Sequence, residues 1–155
     1  MPHRKTRAPE AMNDGAYFAL CRDVSKSSAD PDTHVGGVVV RRETVLVEGC
    51  NTFPKGLNDP TGLRSIRPDK YVWIEHAERN AIYSAARTGV ALAGARIYVE
   101  LMPCIECASA IIQAGISEVI VSADRMSRYQ SDRYSEQHPL AELMLREAGV
   151  SVRRA

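Results

Sequence analysis

The run RIYVELMPCIECASAIIQAGISEVIVS, residues 96–122, decides the fold of this chain. Ile97, Val99 and Leu101 alternate at its start, the period-two pattern of a strand. Residues 104–114 then read as a helix, because Pro103 suits its first turn and Gly115 its end. Ala108, Ile111 and Ile112 fall on the core side of that helix. Residues 119–122 are short and apolar, as a strand buried on both faces is. Strand, helix and strand in succession make a crossover, and crossovers join parallel strands right-handedly.

The pattern extends in both directions. Upstream, residues 35–42 and 44–49 are β-rich runs around a short charged turn, which predicts a hairpin. Gly36 and Gly37 in the first run signal close approach of another element. A helix is predicted over 75–87, with Ala81, Ile82, Ala85 and Ala86 buried and Gly89 as its stop. Residues 51–72 carry Pro54, Gly56, Pro60, Gly62 and Pro68 and read as an irregular wall of a site. Before the hairpin, residues 9–24 read as a helix with Met12, Ala16, Leu20 and Val24 in one apolar stripe. Downstream, 124–137 reads as a polar loop. Residues 139–148 follow as a helix with Leu140, Leu143, Met144 and Ala148 inward, then 150–153 as a last strand.

The element order α-β-β-α-β-α-β-α-β predicts the α/β class. The expected architecture is a three-layer α-β-α sandwich around a mixed five-stranded sheet. Residues 1–8 read as a flexible basic tail and 9–155 as a single domain.

Composition narrows the function. A formal net charge of +1 creates no global field to recruit nucleic acid or a membrane surface. No apolar run approaches membrane-spanning length, and the N-terminal stretch lacks the apolar segment of a secretory signal. Two of the four cysteines form Cys104-x-x-Cys107, which fits metal or redox chemistry better than structural disulfides. The expected compartment is the cytoplasm.

Two short motifs carry the chemistry: His76-Ala77-Glu78 and Pro103-Cys104-Ile105-Glu106-Cys107. Cys104 and Cys107 share a helix face and lie in its first turn, where the helix dipole favours thiolates. With His76 they make a three-ligand zinc set, leaving a fourth position for water. His76 and Glu78 are two apart and converge only if they straddle the very start of a helix. That places two helix N-termini face to face across the metal. Glu78 is then the acid/base: it takes a proton from zinc-activated water and passes it on.

At this point the chain resembles the zinc-dependent cytidine and deoxycytidylate deaminases, which share His-x-Glu followed by Pro-Cys-x-x-Cys. Softer matches in Gly49-Cys50-Asn51-Thr52-Phe53-Pro54, in residues 76–82 and in residues 107–116 make it most similar to the deoxycytidylate branch. The likeness runs from about residue 49 to 149. It implies hydrolytic deamination of a pyrimidine nucleotide, dCMP to dUMP and ammonia, with one zinc ion per subunit and a homo-oligomeric assembly. It also implies that Asn51 meets the substrate sugar. The backbone N–H groups of Ala77 and Cys104 would bind the ring carbonyl and the attacking oxygen. Residues 55–73 hold no Cys or His, so no second, structural zinc is expected.

Other readings compete. The same zinc chemistry serves nucleosides, free bases, guanine, pterins and triazines. RNA editing, a redox pair, or a zinc sealed by Cys21, Cys50, His34 or His138 are further alternatives. Arg64, Arg67, Lys70, Arg125, Arg128 and Arg133 are candidates to hold a phosphate. Tyr129 and Trp73 are candidates to stack on a base. Asn51 reads equally well as a turn former, Cys50 as a buried small apolar residue, and Glu106 as an exposed helix-start acid.

Overall fold

A computed structural model describes residues 11–129, 131 and 133–155. The expected tail over 1–8 and the expected helix start at Pro9 lie outside the described residues. Five strands, β1 Gly36–Arg41, β2 Thr44–Cys50, β3 Arg96–Val99, β4 Glu118–Val121 and β5 Ser151–Arg154, form one sheet in the order β2-β1-β3-β4-β5. β1 runs antiparallel to both β2 and β3, while β3, β4 and β5 are mutually parallel. The sheet is mixed and five-stranded, as the sequence predicts.

The strand alternation sorts side chains to two faces. Val39, Ile97, Val99, Val119 and Val121 pack on one side against helices α3 (Ala77–Thr88), α4 (Ile105–Gln113) and α6 (Gln137–Glu147). Val38, Val40, Tyr98 and Ile120 pack on the other against α1 (Asp14–Ser25). Right-handed crossovers that step outward from β3 to β4 to β5 put α4 and α6 on the same face. Two glycines set the spacing of these layers. A Cβ on Gly36 would stand 1.9 Å from the Cys21 carbonyl oxygen, so α1 rests directly on β1. A Cβ on Gly49 would stand 2.5 Å from both the Ala77 oxygen and the Ala81 nitrogen, so α3 rests directly on β2.

Several local expectations need correction. α1 begins at Asp14, because Asn13 caps it by accepting from the Ala16 N–H at 2.9 Å. Its buried face is Tyr17, Phe18, Cys21 and Ser25; Met12, Leu20 and Val24 pack only at the margin. α6 buries Ala141 and Leu145, while Leu140 and Leu143 are about half exposed, so its apolar side chains do not all face inward. On α3, Ala81 and Ala85 are buried as expected but Ala86 is exposed. The stretch expected to be a loop over 124–137 contains α5 (Ala123–Arg128), capped by Ser122 Oγ accepting from the Arg125 N–H at 3.2 Å. The irregular 51–72 wall ends in a single helical turn, α2 (Lys70–Trp73).

Register places the end of β2, the start of β1 and the end of β3 on one edge of the sheet: Gly36 pairs with Cys50, and Gly37 with Gly49 and Val99. In α/β sheets the crevice beyond the carboxyl ends of strands is where ligands bind. Among the described residues, no helix is long and apolar enough to cross a membrane.

Candidate metal centre and active site

His76 is the N-cap of α3 and Cys104 the N-cap of α4, both with extended backbone. The two helix starts meet, as the two-residue spacing of His76 and Glu78 demands. His76 Nδ1 lies 3.4 Å from Cys104 Sγ and 3.6 Å from Cys107 Sγ. Among the described residues, this trio is the one group of three or more His, Cys, Asp or Glu donors that converges, all within 4.8 Å of one another.

The trio fits zinc. Tetrahedral coordination by nitrogen at about 2.0 Å and sulfur at about 2.3 Å sets those donors about 3.6 Å apart, close to the separations found here. All four cysteines are free thiols, and Cys104 and Cys107 are buried. A hydrogen bond from Cys107 holds the Cys104 thiol well below the usual thiol range, and the same bond together with burial raises Cys107. The pair therefore shares one proton readily, which a metal replaces on binding.

Glu78, in the first turn of α3, is 5% exposed, with Oε2 3.6 Å from Cys107 Sγ. Burial raises its pKa, so the carboxyl is primed to hold a proton. Glu106 is exposed, 3.5 Å from Cys104 Sγ. Arg79 joins it to Glu75 across the outer side, at 3.5 and 2.5 Å.

His76, Ala77, Glu78 and Cys104 open onto one cavity. Its other walls are Val35, Ile74, Leu101 and Met102, with the rings of Tyr71, Tyr129, Tyr134 and His138; Asp30, Asn51, Arg67 and Lys70 complete much of the lining. Asn51 is buried, and its amide braces the preceding loop. Oδ1 accepts from Ser28 Oγ at 2.7 Å and the Val35 N–H at 2.8 Å, and Nδ2 donates to the Thr33 oxygen at 2.6 Å. Cys50 does not line this cavity, in keeping with its apolar reading.

The basic candidates divide. Lys70 is 4% exposed and locked between Asp30 and Asp32 at 2.9 and 2.8 Å. Arg64 lies 4.0 Å over the Trp73 ring, so both are engaged with each other outside the cavity. Arg128 is exposed and paired with Asp124, and does not line the cavity; Arg125 reaches the His34 oxygen. Arg67 does line it, and Arg133 stacks 3.8 Å over Tyr71, a wall residue.

Two contributors escaped the sequence reading. Asn80 ties the chain after β2 to the start of α3, donating from Nδ2 to the Cys50 oxygen at 2.8 Å and to the Glu75 oxygen at 3.2 Å. Tyr134 reaches His76 Nε2 at 3.2 Å. Asn80 sits beside the motif, which was its only signal; Tyr134 sits in a polar stretch with no periodicity to mark it.

Comparison with known proteins agrees with this geometry. The family model for the cytidine and deoxycytidylate deaminase zinc-binding region matches residues 12–123. Human deoxycytidylate deaminase is 37% identical over 146 residues, covering 89% of this chain and 76% of that protein. A probable deoxycytidylate deaminase of Drosophila melanogaster is 36% identical over 154 residues, covering 91% and 71%. The crystal structure of the cyanophage S-TIM5 dCMP deaminase in complex with dCMP and dUMP superposes with a TM-score of 0.71 at 25% identity, covering 96% of this chain and 99% of that one. A match that spans both helix starts and most of the sheet settles the lineage: the chain belongs to the cytidine and deoxycytidylate deaminase zinc-binding family.

Proposed function

We propose that this protein hydrolyses dCMP to dUMP and ammonia. The observation that carries the reading is Glu78, a buried carboxyl beside the His76–Cys104–Cys107 trio on the wall of a cavity. The similarity to deoxycytidylate deaminases along most of the chain supports the choice of ring and phosphate.

His76 Nδ1, Cys104 Sγ and Cys107 Sγ would hold one zinc ion, which when bound acts as a Lewis acid that makes water acidic near neutral pH. Glu78 carries one proton from the attacking water to the ring nitrogen, and then the second, from the oxygen added at the reacting carbon, to the amine that leaves as ammonia. Burial raises its pKa, which favours its taking up the proton it must carry. The N–H groups of Ala77 and Cys104, at helix starts, donate to the ring carbonyl and to the oxygen added at the reacting carbon. Asn51 keeps one amide N–H beyond its bond to Thr33, and this meets the sugar. Tyr129 offers a ring face to the base. Arg67 holds the phosphate in this reading, supported by its position on the cavity wall, where Arg128 is absent. A cytoplasmic homo-oligomer completes the reading; Leu63, Ile66 and Val72, all more than half exposed, support contact between copies.

Purified protein supplied with dCMP should release ammonia, and Glu78→Gln should lower kcat by at least about 100-fold while keeping its zinc. Turnover of an unphosphorylated ring with none of dCMP would reject the substrate; full activity in Glu78→Gln would reject the proton carrier.

A further inference from the structure

We propose that Tyr134 is a positioning residue that fixes His76 as a metal ligand; this rests on the metal reading of the His76, Cys104 and Cys107 trio. The imidazole is engaged from both ends. Nδ1 faces the two sulfurs at 3.4 and 3.6 Å, and Nε2 lies 3.2 Å from the Tyr134 hydroxyl. A nitrogen that gives its lone pair to a metal carries no proton. The proton of the neutral ring is therefore on Nε2, and Tyr134 Oη accepts it. Ligand histidines nearly always donate their second N–H, commonly to a carboxylate, a backbone carbonyl or water. Among the described residues, the partner of Nε2 here is a phenol. The two rings also meet edge to face, with centroids 5.6 Å apart and planes at 77°, which opposes rotation of the imidazole.

The phenol can orient another group because its own segment is tied down on several sides. Arg133 stacks 3.8 Å over Tyr71, fastening the segment to α2. The Tyr134 carbonyl accepts from the N–H groups of Gln137 and His138 at 3.0 and 3.1 Å, fastening it to the start of α6. Gln137 Oε1 in turn accepts from the Ile105 N–H at 3.5 Å, at the first residue of α4. The hydroxyl is thereby held between the helix that bears the histidine and the helix that bears the cysteines. Tyr134 also lines the cavity, so the same contact couples metal affinity to the shape of the substrate wall.

The test is zinc affinity, measured by competition with a chromogenic chelator, for the full chain and for Tyr134→Phe and Tyr134→Ala. Zinc binding should weaken by about 10–100-fold in Tyr134→Phe, and by a similar factor in Tyr134→Ala. Chelator-stripped Tyr134→Phe, which keeps the ring, should unfold close to the temperature of stripped wild type. Unchanged affinity in Tyr134→Phe overturns the proposal. So does a loss confined to Tyr134→Ala, which would mean ring packing, or a raised KM for dCMP at wild-type zinc affinity, which would mean substrate contact. A wild-type chain that takes up no zinc overturns the metal reading and this inference together. Zinc-loaded wild type with no dCMP turnover, beside weakened Tyr134→Phe, supports the assignment and rejects only the substrate.

Discussion

Arg67 and Lys70 stand three residues apart, both line the cavity, and differ in what they have left to give. Lys70 is buried with two carboxylates, so its charge is spent on holding the 30–32 turn against α2. Arg67 is 3.4 Å from Asp32 and largely exposed, so its guanidinium can turn to a ligand. Hydrogen bonds to charged groups contribute about 1.5–3 kcal/mol. Arg67→Ala should therefore raise KM for dCMP by about 10–100-fold and leave deoxycytidine turnover unchanged; steady-state kinetics on the two substrates checks this. Residue identity alone did not separate these two cations. Both are basic residues in a proline-rich wall, and only the partners Asp30 and Asp32, some 40 positions earlier, tell them apart. The metal ligands were legible for the opposite reason. Two Cys three apart and a His two before a Glu obey spacing rules local to a helix start, so sequence distance translates directly into geometry. Asn51 lies between these cases: its place after β2 was readable, its bracing of residues 28–35 was not.

Elements were read well where a period was strong and poorly where burial came from a neighbour's shape. The β3-α4-β4 unit appears within two residues of its expected bounds. α1 and α6 were placed correctly but turned by about one residue. In α1 the rings of Tyr17 and Phe18 take the centre of the face because Gly36 lets the helix back approach β1. α5 was missed because Ala123 and Met126 are the apolar residues among its six, too few to make a stripe; only its Ser122 cap marks it. The Gly49 contact is the element-scale feature on which the site depends, since α3 carries both His76 and Glu78. Gly49→Ala should force β2 and α3 apart and destabilise the fold by about 1–3 kcal/mol. It should also depress kcat, through displacement of Glu78. Chemical denaturation and kcat together check this, and an unchanged midpoint would mean that the helix can shift freely.

At the scale of the molecule, the start and end of the described chain are joined. Asp14 accepts from Arg153 at 2.6 and 3.1 Å and from the Tyr98 hydroxyl at 2.7 Å, linking α1, β3 and β5. The Arg153 hydrogen bond is the main cause that lowers the Asp14 pKa from 3.8 to about 2. A carboxylate depressed in the folded state contributes stability above its unfolded pKa and loses it as pH falls through the folded value. The contribution of Asp14 is thus complete above about pH 4 and gone near pH 2. Both side chains are more than a third exposed, so solvent screening holds it to about 1 kcal/mol. Asp14→Asn should lower the unfolding midpoint at pH 7 and flatten the stability profile between pH 4 and 2, as urea titrations across that range would reveal.

The trio draws its donors from positions 76, 104 and 107, on separate crossovers of the chain. A cation seated there is a removable rivet: it closes a 28-residue span that, without it, packing and a few polar side-chain contacts close. Folding then becomes a function of the free zinc concentration. At about 100 times the dissociation constant the ion adds about 2.7 kcal/mol to the stability of the folded chain. Stripping with EDTA should lower the melting temperature, and zinc added back should restore it in a dose-dependent way. A melting curve indifferent to zinc would mean that the two crossovers are already locked without their rivet.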